Sequence, residues 1–132
     1  MSNLIRILIT DDHVVVRRGT QALLATEPEI EVVGEAKNGE EAVAKALQLQ
    51  PDVILMDLEM PVMDGYEFLK TVKQDRRYQS IPVIMLTSVS QKEKVIEAVR
   101  IGAKQYITKP FSGEDVLAKI IQAVGMENLG DL

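Results

Sequence analysis

Val53-Ile54-Leu55-Met56-Asp57-Leu58-Glu59-Met60-Pro61-Val62-Met63-Asp64-Gly65 is an apolar run that stops at a carboxylate, then passes through a proline and an Asp-Gly pair into a helical pattern. Consecutive apolar residues without alternation mark a strand covered on both faces, the habit of central strands in a parallel sheet packed between helices. Asp57 therefore stands where a strand ends, and in open α/β sheets sites form at the carboxyl ends of strands. The same event recurs along the chain. Leu4 to Thr10 runs into Asp11-Asp12, Ile81 to Leu86 runs into Thr87-Ser88, and Gln105 to Thr108 runs into Lys109-Pro110. Three carboxylates, a hydroxyl and an ammonium are thereby delivered to one edge of one sheet.

Helical periodicity fills the intervals. His13 to Thr26 is predicted as a helix with Val16, Thr20, Leu23 and Leu24 inward and Arg17, Arg18 and Gln21 on a solvated face. Glu31 to Glu35 reads as a short strand, Asn38-Gly39 as a turn, and Glu40 to Gln50 as a helix carrying Ala42, Val43, Ala46 and Leu47 at helical spacing. A third helix opens at Gly65 with Phe68, Leu69 and Val72 inward. Ser90 and Glu93 fit a capping box before Val95, Ile96 and Val99, and Gly102 falls where a helix-ending residue of positive φ belongs. Ser112 can cap a last helix with the apolar stripe Val116, Leu117, Ile120, Ile121 and Val124, and the patternless tail 125–132 is expected to be flexible. Strand and helix alternate five times with short connections, which predicts one α/β domain over 1–132, core about 4–124, with a parallel sheet between helical layers.

Bulk composition narrows the function. At 132 residues, one core is the expectation. With 15 Lys and Arg against 20 Asp and Glu, and 4% aromatic residues, the chain has neither a phosphate-neutralising surplus nor a stacking platform, so direct binding of nucleic acid is not expected. The absence of cysteine excludes disulfides, thiol catalysis and cysteine-ligated zinc. No stretch approaches a membrane span or a signal-peptide core, and a soluble cytoplasmic location is the expectation.

An Asp or Ser after a strand often does no more than cap the next helix. Asp11, Asp12 and Asp57 together call for more, because like charges on neighbouring strand ends repel unless a cation neutralises them. Mg²⁺ suits such a site, since it takes one or two carboxylates, several waters and a phosphate oxygen. An ionised Asp57 beside a metal and Lys109 is an effective nucleophile toward a phosphoryl group, with Thr87 able to donate to one of its oxygens. His13 is the single histidine and reads as a surface residue of the first helical turn; a zinc site needs more nitrogen or sulfur ligands. Tyr106, on its own residues alone, reads as packing for a half-exposed face.

The pair Asp11-Asp12, the segment Met56 to Gly65, Thr87-Ser88 and Lys109-Pro110 together closely resemble the receiver domain of two-component response regulators, across about Leu4 to Val124. The resemblance implies a flavodoxin-like, doubly wound five-stranded sheet in the order 2-1-3-4-5 and a cis peptide bond before Pro110. It implies that Asp57 accepts a phosphoryl group from the phosphohistidine of a sensor kinase or phosphotransfer protein. It also implies that Asp12 and Asp57 ligate Mg²⁺ directly, that Asp11 acts largely through water, and that the backbone carbonyl of Glu59 supplies a further oxygen. Thr87 and Lys109 would hold the phosphoryl oxygens, and Thr87 with Tyr106 would form a coupled switch. The Glu59 side chain would face the mouth of the site.

Two other functions fit the fold class less well. A flavin carrier needs an amide-rich loop after the first strand, where Asp11-Asp12-His13 supplies anions instead. An aspartyl phosphatase, suggested by Asp57-Leu58-Glu59, resembles a pattern with the nucleophile on the first strand and an inserted cap domain. The expected role is a signalling module that promotes only its own phosphorylation and dephosphorylation. Its output would pass through the face of residues 90–120, where Lys92, Lys94, Arg100, Lys104 and Lys119 interleave with Glu93, Glu97, Glu114 and Asp115. Mixed signs suit a protein target or a second copy of the same face. Residues beyond Val124 are too few for an output domain, which leaves a stand-alone regulator and an excised receiver both open.

Overall fold

Every residue of β3 (Val53–Asp57) and β4 (Val83–Thr87) is buried, as an uninterrupted apolar strand requires. These two strands are the middle of a computed structural model that describes residues 4–57, 63–77, 79–87 and 92–124. Around them lie β1 (Ile5–Thr10), α1 (Val14–Leu24), β2 (Ile30–Ala36), α2 (Gly39–Leu49), α3 (Gly65–Lys73), α4 (Lys92–Arg100), β5 (Gln105–Thr108) and α5 (Gly113–Val124). Among the described residues the five strands form one sheet in the order β2-β1-β3-β4-β5 with every pairing parallel. This is the expected topology.

Successive side chains of a strand point to opposite faces, so the central strands feed two cores. Leu8, Ile54, Met56 and Met85 pack with Ala42, Ala46, Phe68, Leu69, Val72, Val95 and Ala98 of α2, α3 and α4. Ile7, Ile9, Leu55, Ile84 and Leu86 pack with Leu24, Val116 and Ile120 of α1 and α5. At the β1–β2 seam the register slips between Ile7 and Leu8, and Gly34 leaves open the space that the Leu49 side chain occupies.

Short polar side chains start α2, α3 and α5. The Asn38 side chain accepts from the Glu41 amide at 2.8 Å, the Asp64 carboxylate accepts from the Glu67 amide at 2.8 Å, and Ser112 and Asp115 satisfy each other's amides at 3.1 and 2.9 Å. Asn38-Gly39 is thus the start of α2 and not a free turn. Glu93 lies in α4, while Ser90, its expected capping partner, is outside the described residues.

Several predicted inward residues face water. Val95 and Ala98 form the buried row of α4, and at about 100° per residue this turns Ile96 and Val99 away, leaving them 51% and 45% exposed. Ala98 is the residue the apolar reading passed over. Val16, Leu23 and Leu47 are likewise exposed, because Thr20, Leu24, Ala42 and Ala46 take the inner rows of α1 and α2. Phe68, Leu69 and Val72 are buried as expected, and Val116 and Ile120 carry the α5 contact.

Two glycines differ in what a methyl group would do. Gly102 ends α4 at φ +127°, where the Ala103 amide reaches back to the Ala98 carbonyl at 2.9 Å and a Cβ would meet Lys73 at 3.0 Å. Gly19 lies inside α1, exposed, with nothing within 4 Å of its Cβ position. Gly102→Ala is expected to destabilise the fold by more than about 1 kcal/mol, and Gly19→Ala to stabilise it by about 0.5–1 kcal/mol. Urea unfolding monitored by circular dichroism reads both signs.

Candidate functional site

The sheet delivers Asp11, Asp57, Thr87 and Lys109 to its carboxyl edge. The Asp11 amide continues the β1–β2 ladder by donating to the Ala36 carbonyl at 3.1 Å, and its carboxylate turns back to accept the His13 amide at 2.9 Å. Asp57 is the last residue of β3 and Thr87 the last of β4. Lys109 follows β5, its amide donating to the Thr87 carbonyl at 2.8 Å, and the Lys109–Pro110 bond is cis. From there its Nζ lies 3.5 Å from Asp11 Oδ2 and 3.5 Å from Asp57 Oδ1. Asp11, Asp57 and Thr87 are among the buried polar residues, while Asp12 remains partly open to solvent.

One carboxylate oxygen from each of Asp11, Asp12 and Asp57 and a ring nitrogen of His13 lie within 4.8 Å of one another, a group able to hold a metal ion. The Lys109 ammonium contacts two of the three carboxylates, and a hard divalent cation would add the positive charge that suits an acidic group of this kind. Tyr106 is not part of the cluster. It pairs with Met85 two residues back from the edge, is 44% exposed, and has Lys119 Nζ 5.6 Å from its ring centroid. Glu59 and Ser88 lie outside the described residues.

Arg17 corrects the sequence reading. It was expected on a solvated face, yet its side chain is 14% exposed and its guanidinium donates to the Asp11 carbonyl at 2.7 Å and to Glu35 Oε1 at 2.8 Å. Arg18 Nε also approaches Glu35 at 3.5 Å, and Lys45 Nζ donates to the Glu35 carbonyl. The backbone that carries the acid pair is thereby fastened to α1 and β2. The spacing from His13 to Arg17, whose amide bonds the His13 carbonyl, could have placed Arg17 one turn above the strand end. Nothing in the sequence singled out Glu35 as its partner.

An all-parallel five-stranded sheet in this order, with an acidic cluster and a lysine at the carboxyl edge, defines a flavodoxin-like α/β module of the kind used in phosphorylation-controlled signalling. Residues 7–121 match the response regulator receiver domain family, and the chain belongs to it. It is 40% identical over 119 residues to the transcriptional regulatory protein YdfI of Bacillus subtilis, covering 90% of this chain and 54% of that protein. To the response regulator protein VraR of Staphylococcus aureus it is 46% identical over 112 residues, covering 85% and 53%. The chain therefore spans about half the length of these curated relatives. Among solved structures it resembles the response regulator domain of Thermotoga maritima CheB, with TM-score 0.82, 38% identity, and coverage of 92% of this chain and 97% of that one. It also resembles the chemotaxis protein CheY4 of Vibrio cholerae, with TM-score 0.81, 35% identity, and coverage of 91% and 98%.

The Arg17 hydrogen bond, reinforced by the nearby Arg18 charge, holds the Glu35 carboxyl below the ordinary carboxylate value of 4.5. A depressed folded value stabilises the fold above the unfolded value, and the contribution is lost as pH falls through the folded one. Glu35→Gln is therefore expected to lower the melting temperature at pH 7, with the gap from the parent shrinking below about pH 4.5. Partial exposure limits the effect to about 1 kcal/mol or less. Calorimetry from pH 7 to pH 3 reads it.

Proposed function

We propose that Asp57 is the phosphoacceptor of this receiver, and that the donor is the phosphohistidine of a sensor kinase or phosphotransfer protein in the cytoplasm. The observation that supports this reading is the convergence of Asp57, Asp11 and Lys109 within 3.5 Å contacts at the edge where Asp12 also emerges. An Asp57 carboxylate oxygen forms the new bond to phosphorus while the P–N bond of the donor breaks, and the departing imidazole takes up a proton. Lys109 offsets charge on the phosphoryl oxygens, and the Thr87 hydroxyl donates to one of them. The donor set is oxygen-rich and fits Mg²⁺, with Asp12 and Asp57 as direct ligands, Asp11 acting through water, and the Glu59 carbonyl as a further oxygen. When bound, magnesium supplies charge neutralisation that lets a phosphoryl dianion approach three carboxylates. Turnover of an external phosphomonoester is not part of this reading; the chain promotes only its own modification and release.

The phosphoryl group brings about two negative charges beside Thr87 in place of the single charge of the Asp57 carboxylate. In the proposed switch, Thr87 moves toward the phosphoryl group and Tyr106 turns into the space it leaves, shifting the population of an alternative surface on α4, β5 and α5. A protein target or a second copy of this chain then reads that surface.

With acetyl phosphate and Mg²⁺, the parent chain is expected to gain one phosphoryl group by intact mass. Chelation should abolish the gain, and so should Asp57→Asn. Full labelling of Asp57→Asn would overturn the acceptor assignment. Tyr106→Ala should leave labelling intact while removing phosphorylation-dependent amide-exchange changes in residues 92–120, and unaltered exchange changes in that variant would sink the switch.

A further inference from the structure

We propose that the His13 imidazole is an additional ligand of the Asp11–Asp12–Asp57 metal site, and that it tilts the site toward nitrogen-preferring transition-metal ions such as Ni²⁺ and Co²⁺ relative to Mg²⁺. The inference rests on the metal-site reading above and adds a residue and an ion class to it. His13 occupies the cap position of α1 in an extended conformation, at φ −93° and ψ 112°, but its ring makes no capping hydrogen bond. The ring turns toward the acid pair instead, with Nδ1 3.2 Å from Asp12 Oδ1 and 3.6 Å from Asp11 Oδ1.

The 3.2 Å approach is not a hydrogen bond. Asp12 Oδ1 is a buried oxygen with no hydrogen-bond partner among the described residues, although Nδ1 is beside it. A ring nitrogen and a carboxylate oxygen this close to each other are placed as adjacent ligands of one ion. Ligands about 2.1 Å from a metal and at right angles are about 3.0 Å apart, close to the separation seen here. Opposite ligands would be about 4.2 Å apart, so within the 4.8 Å span of the group His13 can join Asp12 and Asp57 on one ion, with Asp11 reaching it through water. The ring is 70% exposed and so can make that adjustment without disturbing the core.

An imidazole nitrogen changes the ion preference. Mg²⁺ favours oxygen ligands and gains little from it, whereas affinity for nitrogen-containing sites rises through Mn²⁺, Co²⁺ and Ni²⁺. The carboxylates alone hold either class; His13 separates them.

The test is calorimetric titration of the tag-free full chain with NiCl₂ and, separately, MgCl₂, for the parent, His13→Ala and Asp12→Ala. His13→Ala is expected to weaken Ni²⁺ binding at least about tenfold, a loss that even outer-shell changes at metal sites commonly produce. Its Mg²⁺ affinity should stay within about twofold of the parent, since Mg²⁺ makes little use of nitrogen. Asp12→Ala should weaken both. The chain has one histidine, so hyperfine-shifted imidazole protons with Co²⁺ can be assigned to His13 directly. Equal Ni²⁺ affinity in parent and His13→Ala, with Mg²⁺ binding intact, overturns this inference and leaves the metal site standing. Loss of Ni²⁺ binding in His13→Ala but not in Asp12→Ala would show an isolated surface imidazole, and also overturns it. Failure of the parent to bind either ion would remove the metal-site reading itself.

Discussion

In an all-parallel sheet between two helical layers, a charged side chain inside a central strand would be buried without solvent, and the strand interiors here are apolar at nearly every position. Polar chemistry is confined to the ends, and because the strands are parallel their carboxyl ends all lie on one edge. Asp11 and Asp57 emerge there already close to water-free packing, and the Lys109 ammonium stands between them at 3.5 Å from each. Removing Lys109 would leave two buried carboxylates facing each other with less compensation, so the lysine is a structural counter-charge as well as a candidate for holding phosphoryl oxygens. The same group serves both purposes because both need a cation at one place.

The two halves of this sheet edge are held differently. On the β1 side, Arg17, Glu35 and Lys45 tie α1, β2 and α2 to the carbonyl next to the acid pair. On the β4–β5 side, the Lys109 amide donates to the Thr87 carbonyl, and among the described residues of α4 Val95 and Ala98 are buried while Ile96 and Val99 stay exposed. Lys73 bridges toward that side, its ammonium donating to the carbonyls of Gln79 and Ile81, and burial lowers its pKa, assisted by the Lys104 charge.

Sequence alone revealed most of this arrangement because the residues that build it interrupt long apolar runs. Asp11, Asp57, Thr87 and Lys109 each end such a run, and strand ends in a parallel sheet share an edge whatever the loops do. The order of the strands came with the family resemblance, since periodicity fixes neighbours in sequence and not in space. Helix faces were read less well where small residues take the inner row: Ala98, Thr20 and Ala46 pack closely against the sheet, and larger neighbours such as Ile96, Val16 and Leu47 are displaced outward. Arg17 and Glu35 stayed hidden for a different reason. They are 18 residues apart, and an arginine on an amphipathic helix ordinarily meets water. His13 was assigned to the surface correctly, but the direction of its ring depends on backbone dihedrals that composition does not encode.

The bonds from Arg17 bear on how this module can be re-engineered. Because one guanidinium bonds both the Asp11 carbonyl and Glu35, α1 is not an interchangeable face laid over a finished site. A chimera whose grafted first helix lacks an arginine at position 17 would remove both of these bonds, loosening the backbone that presents the acid pair. Positions 17 and 35 are joined by one hydrogen bond, and transplanting them together separates the choice of docking surface from the integrity of the acidic edge.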